Sequence, residues 1–129
     1  METENMGYLS VYVKTADGAL PVEGAMVTIR SDDGENSDVL AVLFTDPGGV
    51  TERFALPAPP KSFAQTPEGG TPYRFYSIDT DKTGFRRVRN VKVAIYSEVT
   101  AFQPVNLIPL ALGEPSDSTE YFEGSAPNL

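Results

Sequence analysis

Leu20-Pro21-Val22-Glu23-Gly24-Ala25-Met26-Val27-Thr28-Ile29-Arg30 is the stretch on which the fold turns. Pro21 has no N–H to give to a ladder, so it belongs ahead of a strand and not inside one. Gly24 lets the chain turn tightly. From there Ala25, Val27 and Ile29 alternate with Met26, Thr28 and Arg30, the period-two pattern of a strand with one buried face.

The same pattern recurs outward in both directions. Leu9, Val11 and Val13 alternate with Ser10, Tyr12 and Lys14 on the N-terminal side. Downstream, Val39 to Thr45 is almost continuously apolar, which predicts a strand buried on both faces or at a sheet centre. A brief strand at Phe54 and Leu56 stops before Pro57. Tyr76, Ile78 and Thr80 form one alternating set, and Val91, Val93 and Ile95 another. A last strand runs from Ala101 to Leu110. Turn chemistry separates them: Asp17-Gly18, the acidic run from Asp32 to Asn36, Asp46-Pro47-Gly48-Gly49, and Asp81-Lys82-Thr83-Gly84. Seven short strands with no sustained helical period predict an all-β fold, an antiparallel Greek-key β-sandwich, with a barrel as the competing architecture. Residues 1–6 read as a flexible N-terminus and 7–112 as the domain. Pro57 to Pro72 reads as a long extended connection. Residues 113–129, with four acids and no base, read as a disordered tail, unless Tyr121-Phe122 docks on a neighbour.

Composition bounds the chemistry. The 129 residues include no Cys, no His and no Trp, so thiol and imidazole catalysis and the usual zinc ligands are excluded. Eighteen acidic residues against ten basic ones give a net charge of −8. That balance disfavours nucleic acid and anionic membrane as partners, and no apolar run approaches the ~18 residues of a spanning helix. Met1-Glu2-Thr3-Glu4-Asn5-Met6 has neither the basic nor the apolar region of a signal peptide, which predicts a cytoplasmic chain.

Two groups of residues are candidates for binding. Arg86, Arg87, Arg89 and Lys92, with Arg74 expected nearby, form the densest basic group, suited to an anionic ligand unless local acids pair with it. Phe85 beside them is either an exposed anchor or core. Tyr8, Tyr12, Tyr73 and Phe75 lie opposite the apolar parity. They suit a carbohydrate-binding face, and equally cross-strand packing or a self-associating surface. Asp79-Thr80-Asp81-Lys82-Thr83-Gly84 is similar to the start of a calcium loop, but Asn90 stands where the bidentate Glu belongs and Lys82 puts a cation inside. Asp32, Asp33, Glu35 and Asp38 could hold a hard cation but read as a solvated loop, so no metal and no cofactor is expected.

Gly7 to Val13, Leu20 to Ile29 and Thr45-Asp46-Pro47-Gly48-Gly49, in that order, resemble a carboxypeptidase regulatory-like domain. That family has a prealbumin-like (transthyretin-like) sandwich fold. Leu56-Pro57-Ala58-Pro59-Pro60, Pro72-Tyr73, Gly84-Phe85 and Thr100 to Leu110 resemble more closely the N-terminal domain of clostridial spore cortex-lytic enzymes and related peptidoglycan-binding proteins of Firmicutes. The resemblance covers residues 7–112 and implies a non-catalytic binding or assembly module. Its expected partner is peptidoglycan or a cell-wall or spore protein, its expected setting the spore or mother cell, and a homo-oligomer stays open. Two other likenesses fail on the residues. The 5-hydroxyisourate hydrolases of this fold use histidines, and this chain has none. Collagen-adhesin B sandwiches crosslink a first-strand Lys to a last-strand Asn; Lys14 and Asn106 occupy such strands, but the parity of Lys14 predicts that it points outward.

Overall fold

The computed structural model describes residues 5–32, 37–60 and 72–124. Its strands are β1 (Asn5–Thr15), β2 (Leu20–Pro21), β3 (Met26–Ser31), β4 (Val39–Phe44), β5 (Phe54–Ala58), β6 (Tyr73–Asp81), β7 (Arg87–Tyr96), β8 (Thr100–Leu107) and β9 (Thr119–Glu123). They form two sheets packed as an all-β sandwich. In the first, β1 is central: β5 and the two-residue β2 share one of its edges and β8 runs parallel to it on the other. The second has the order β4-β3-β6-β7-β9.

Side-chain parity builds the core. Leu9, Val11 and Val13 from β1 face Val27 and Ile29 from β3, with Ile78, Val88, Val93 and Ile95, all fully buried. The second sheet is tied to the first by Tyr76, whose hydroxyl donates to the Pro57 carbonyl at 2.5 Å. Thr45 anchors the start of β3. Its Oγ1 accepts from the Ala25 N–H at 2.9 Å and donates to the Val22 carbonyl at 2.6 Å, in a buried setting. Thr45→Val preserves shape but leaves both main-chain groups without that partner. We expect a loss of about 2 kcal/mol in urea denaturation.

The structure corrects several expectations. All seven predicted strands form, but β2 and β9 are added, and the β1–β8 and β7–β9 pairs are parallel, not antiparallel. Asn5 and Met6, expected in a flexible end, belong to β1. The strand at Phe54 continues through Pro57 to Ala58, which an edge position permits because the missing N–H faces no neighbour. The connection beyond Pro60, residues 61–71, lies outside the described residues. The apolar run of β4 is not central: it is the edge of the second sheet, with Val39, Leu40, Val42 and Phe44 exposed. In β7 the register shifts where Lys92 adopts φ 54°, a bulge that puts Asn90 and Val93 on the inner face and leaves Val91 only half-buried. The Lys92 N–H is capped by the Asp32 carboxylate at 2.8 Å. Finally, the acidic tail is ordered over Thr119–Glu123, where Phe122 packs on the core.

Candidate interaction surfaces

The basic group is the first candidate, and the outer face of the second sheet explains its spacing. Arg87 and Arg89 lie one pleat apart on β7, opposite Asp81 and Asp79 of β6. Arg89 grips Asp79 with two hydrogen bonds, Nε at 2.6 Å and Nη2 at 2.9 Å, and Arg30 reaches the same carboxylate from β3 at 3.4 Å. Arg87 Nε donates to Asp81 at 2.6 Å. Arg86, just before β7, donates to Glu114 at 2.8 Å and Glu120 at 3.4 Å. Lys92 stands 3.8 Å from Glu123. Hydrogen bonds to Glu114, Asp81 and Asp79 respectively hold the Arg86, Arg87 and Arg89 guanidiniums above their ordinary pKa, so all three stay charged. Arg74 is not nearby: it is exposed at the far end of β6 from Asp79 and Asp81. Phe85 takes the core alternative, packed against the buried cluster and bridged to Pro109. The basic residues on and beside β7 therefore meet the acidic residues on β6 and in the tail, and the surface carries little free positive charge.

Glu114 links this edge to the chain beyond β8. Its Oε1 accepts from the Ala111 N–H at 2.8 Å and its Oε2 from Arg86. The Ala111 N–H first, then Arg86, hold the carboxyl below the ordinary carboxylate range. A folded pKa below the unfolded one stabilises above the unfolded value, and that share is lost as pH falls through the folded one. We expect Glu114→Gln to melt below the wild type at neutral pH. The gap should close as pH falls through and below the ordinary carboxylate range, which a thermal-melt series at falling pH checks.

The aromatic candidates divide between the two sheets. On the outer face of the first, Tyr12 of β1 and Phe102 of β8 are 5.5 Å apart between ring centroids, and Phe102 is 56% exposed. Tyr8 lies along the same face of β1 with the Arg53 guanidinium 4.4 Å above its ring. Tyr73 belongs to a separate cluster on the second sheet, 5.0 Å from Phe75 and 5.5 Å from Tyr96. Sequence reading found Tyr8 and Tyr12 but missed Phe102. Its strand, β8, is parallel to β1 and ninety residues away from Tyr12, and only the Ser10–Phe102 and Tyr12–Pro104 register brings the two rings together.

Two further placements bear on chemistry. Lys14 and Asn106 are direct partners across β1 and β8, but Lys14 is exposed on the outer face as its parity predicts. Asp79 and Asp81 are engaged by arginines. Among the described residues no three acidic side chains converge as a metal site.

No family model and no curated protein matches the chain. Solved structures do. The Bacillus anthracis TIE protein superposes with a TM-score of 0.55 at 14% identity, over 82% of this chain and 17% of that one. GBS52, the minor pilin of Streptococcus agalactiae, does so with a TM-score of 0.53 at 16% identity, over 84% of this chain and 46% of that one. The chain thus spans less than half of either protein. At these identities the likeness shows the β-sandwich fold, and it carries no link to cortex-lytic enzymes.

Proposed function

We propose that this chain is a non-catalytic binding module that holds a cell-wall glycan, peptidoglycan in the first instance, on the outer face of its first sheet. The observation that carries the reading is the Tyr12–Phe102 pair on two adjacent strands, Phe102 exposed and Tyr12 half-buried, with Tyr8 and Arg53 alongside. Sugar rings present C–H faces that stack on aromatic side chains, and a rigid sheet places those rings without an ordering cost. The resemblance to peptidoglycan-binding proteins supports the same ligand class, and the fold shared with a minor pilin is in keeping with a surface setting. The contact is the aromatic face rather than the arginines, which are occupied by Asp79, Asp81, Glu114 and Glu120.

The test is co-sedimentation with purified insoluble peptidoglycan. Wild-type protein should be retained. Tyr12→Ala and Phe102→Ala should each cut retention about tenfold, the loss of one stacked ring, while Arg87→Met leaves it unchanged. Absence of wild-type retention, or loss on Arg87→Met alone, overturns the proposal. A second reading, a structural module of a protein assembly, is favoured by the bare edge of β4.

A further inference from the structure

Strand β4 closes one side of the second sheet, and among the described residues it is hydrogen-bonded only to β3. Its ladder fixes which main-chain groups are free. The Thr45 N–H donates to the Ala25 carbonyl, and Leu43 and Ala41 follow in the same phase opposite Val27 and Ile29. Val42 and Phe44 therefore turn their N–H and C=O groups away from the sheet. The strand, Val39-Leu40-Ala41-Val42-Leu43-Phe44, contains neither a charge nor a proline, the devices that usually blunt an edge. Its outward side chains are exposed, Phe44 by 61%. Beside it a groove of about 420 Å³ runs between β4 and the segment at Val50–Glu52, with Val42, Phe44 and Val50 along it.

Charge selects the occupant. Asp38 precedes the strand, and Asp46 and Glu52 follow at the other end; all three are exposed and in no ion pair among the described residues. Arg30, on the neighbouring strand β3, is held by Asp79 and by the Ser37 carbonyl at 3.4 Å each. A second copy pairing antiparallel on β4 would bring Asp38 of one copy toward Asp46 of the other, in a chain already at −8. From these observations we infer that β4 accepts, as an added strand, an extended apolar segment of another protein that carries Lys or Arg at both ends. The main-chain groups of Val42 and Phe44 supply the ladder. Alternate side chains of the guest enter the groove, and its basic ends meet Asp38 at one end and Asp46 and Glu52 at the other. The far wall of the groove borders the aromatic face through the Tyr12–Val50 bridge, but Tyr8, Tyr12, Arg53 and Phe102 do not line it, so the inference does not rest on glycan binding.

The probe is a fluorescein-labelled Lys-Lys-Thr-Val-Thr-Val-Thr-Val-Lys-Lys peptide, titrated by anisotropy against the full chain. Saturable binding is expected. N-methylation of two central amides should weaken it about tenfold, because an apolar contact survives that change and a ladder does not. Exchange of the lysines for glutamates should weaken it by a similar factor. Asp38→Lys and Glu52→Lys, with melting confirmed, should reverse the preference between the two peptides. No saturable binding, or binding indifferent to N-methylation, overturns the inference. So does a dimer in light scattering that Phe44→Lys abolishes, since it gives the edge to a second copy. Peptidoglycan retention measured on the same preparation separates failure here from failure of the glycan reading.

Discussion

Gly49→Ala should destabilise the domain by about 3 kcal/mol and lower the melting temperature by roughly 10 °C. Two costs coincide at this residue. Its φ is 80°, a left-handed conformation that charges an L-residue with a side chain about 1 kcal/mol. A Cβ there would also run into the Val13 carbonyl oxygen and come within 3.2 Å of Pro21 Cβ and Val22 N. Those atoms cannot step aside. The Val13 carbonyl accepts from the Val22 N–H at 3.0 Å, and the Val13 N–H donates to the Gly49 carbonyl at 2.6 Å. Relieving the overlap breaks the junction of β1 with the turn and with the exit from β2, an overpacking cost of about 2 kcal/mol. Gly18→Ala is the control. Its φ is 88° but no atom lies within 4 Å of a Cβ, so only the conformational share, about 1 kcal/mol, should appear. Equal losses at the two sites would mean that the close approach to Val13 contributes nothing.

Gly49 also marks what can be read from a sequence. A turn after Thr45-Asp46 needs positive φ at one of two glycines, and that much follows from local chemistry; that the glycine must also admit a carbonyl of β1 does not. The same division runs through the strands. The inward parity of Leu9, Val11 and Val13 is legible because an alternating strand has only two faces. The apolar run of β4 has no alternation to read. Its place at an edge follows from β6 pairing with β3, a contact nearly fifty residues distant. In β7 one residue, Lys92, reverses the parity, so Asn90 is buried where alternation predicted a solvent-facing side chain.

The two charged segments show the limit most clearly. Read separately, the arginines before and within β7 are a binding patch and residues 113–129 an acidic tail. In the fold each answers the other: Arg86 with Glu114 and Glu120, Lys92 with Glu123, while Phe122 beside them packs on the core. Sequence distance hides such pairing, because β9 joins β7 in a parallel register that no turn between them dictates. The candidate site moves accordingly, from charged residues conspicuous by composition to Tyr12 and Phe102, conspicuous only once β8 lies beside β1.

Arg89→Met should cost about 3 kcal/mol in denaturant unfolding. The size follows from where the charges sit. The Asp79 side chain is 5% exposed and opposite Arg89 in the register, whereas the Arg89 side chain keeps 31% of its surface. Removing the arginine withdraws the two shortest hydrogen bonds to a carboxylate that water barely reaches, and Arg30 at 3.4 Å is the remaining cation. An uncompensated buried charge is the expensive outcome; loss of the pair as a whole is not. The double change Asp79→Leu with Arg89→Met should therefore recover about 2 kcal/mol relative to Arg89→Met alone. Arg89→Lys should fall between, because an ammonium cannot reproduce the two-pronged contact. Arg87→Met, whose ion pair with Asp81 is 39% and 26% exposed, should cost under about 1 kcal/mol. A double variant no more stable than Arg89→Met would show that the arginine acts through its packed stem and not through the carboxylate it holds.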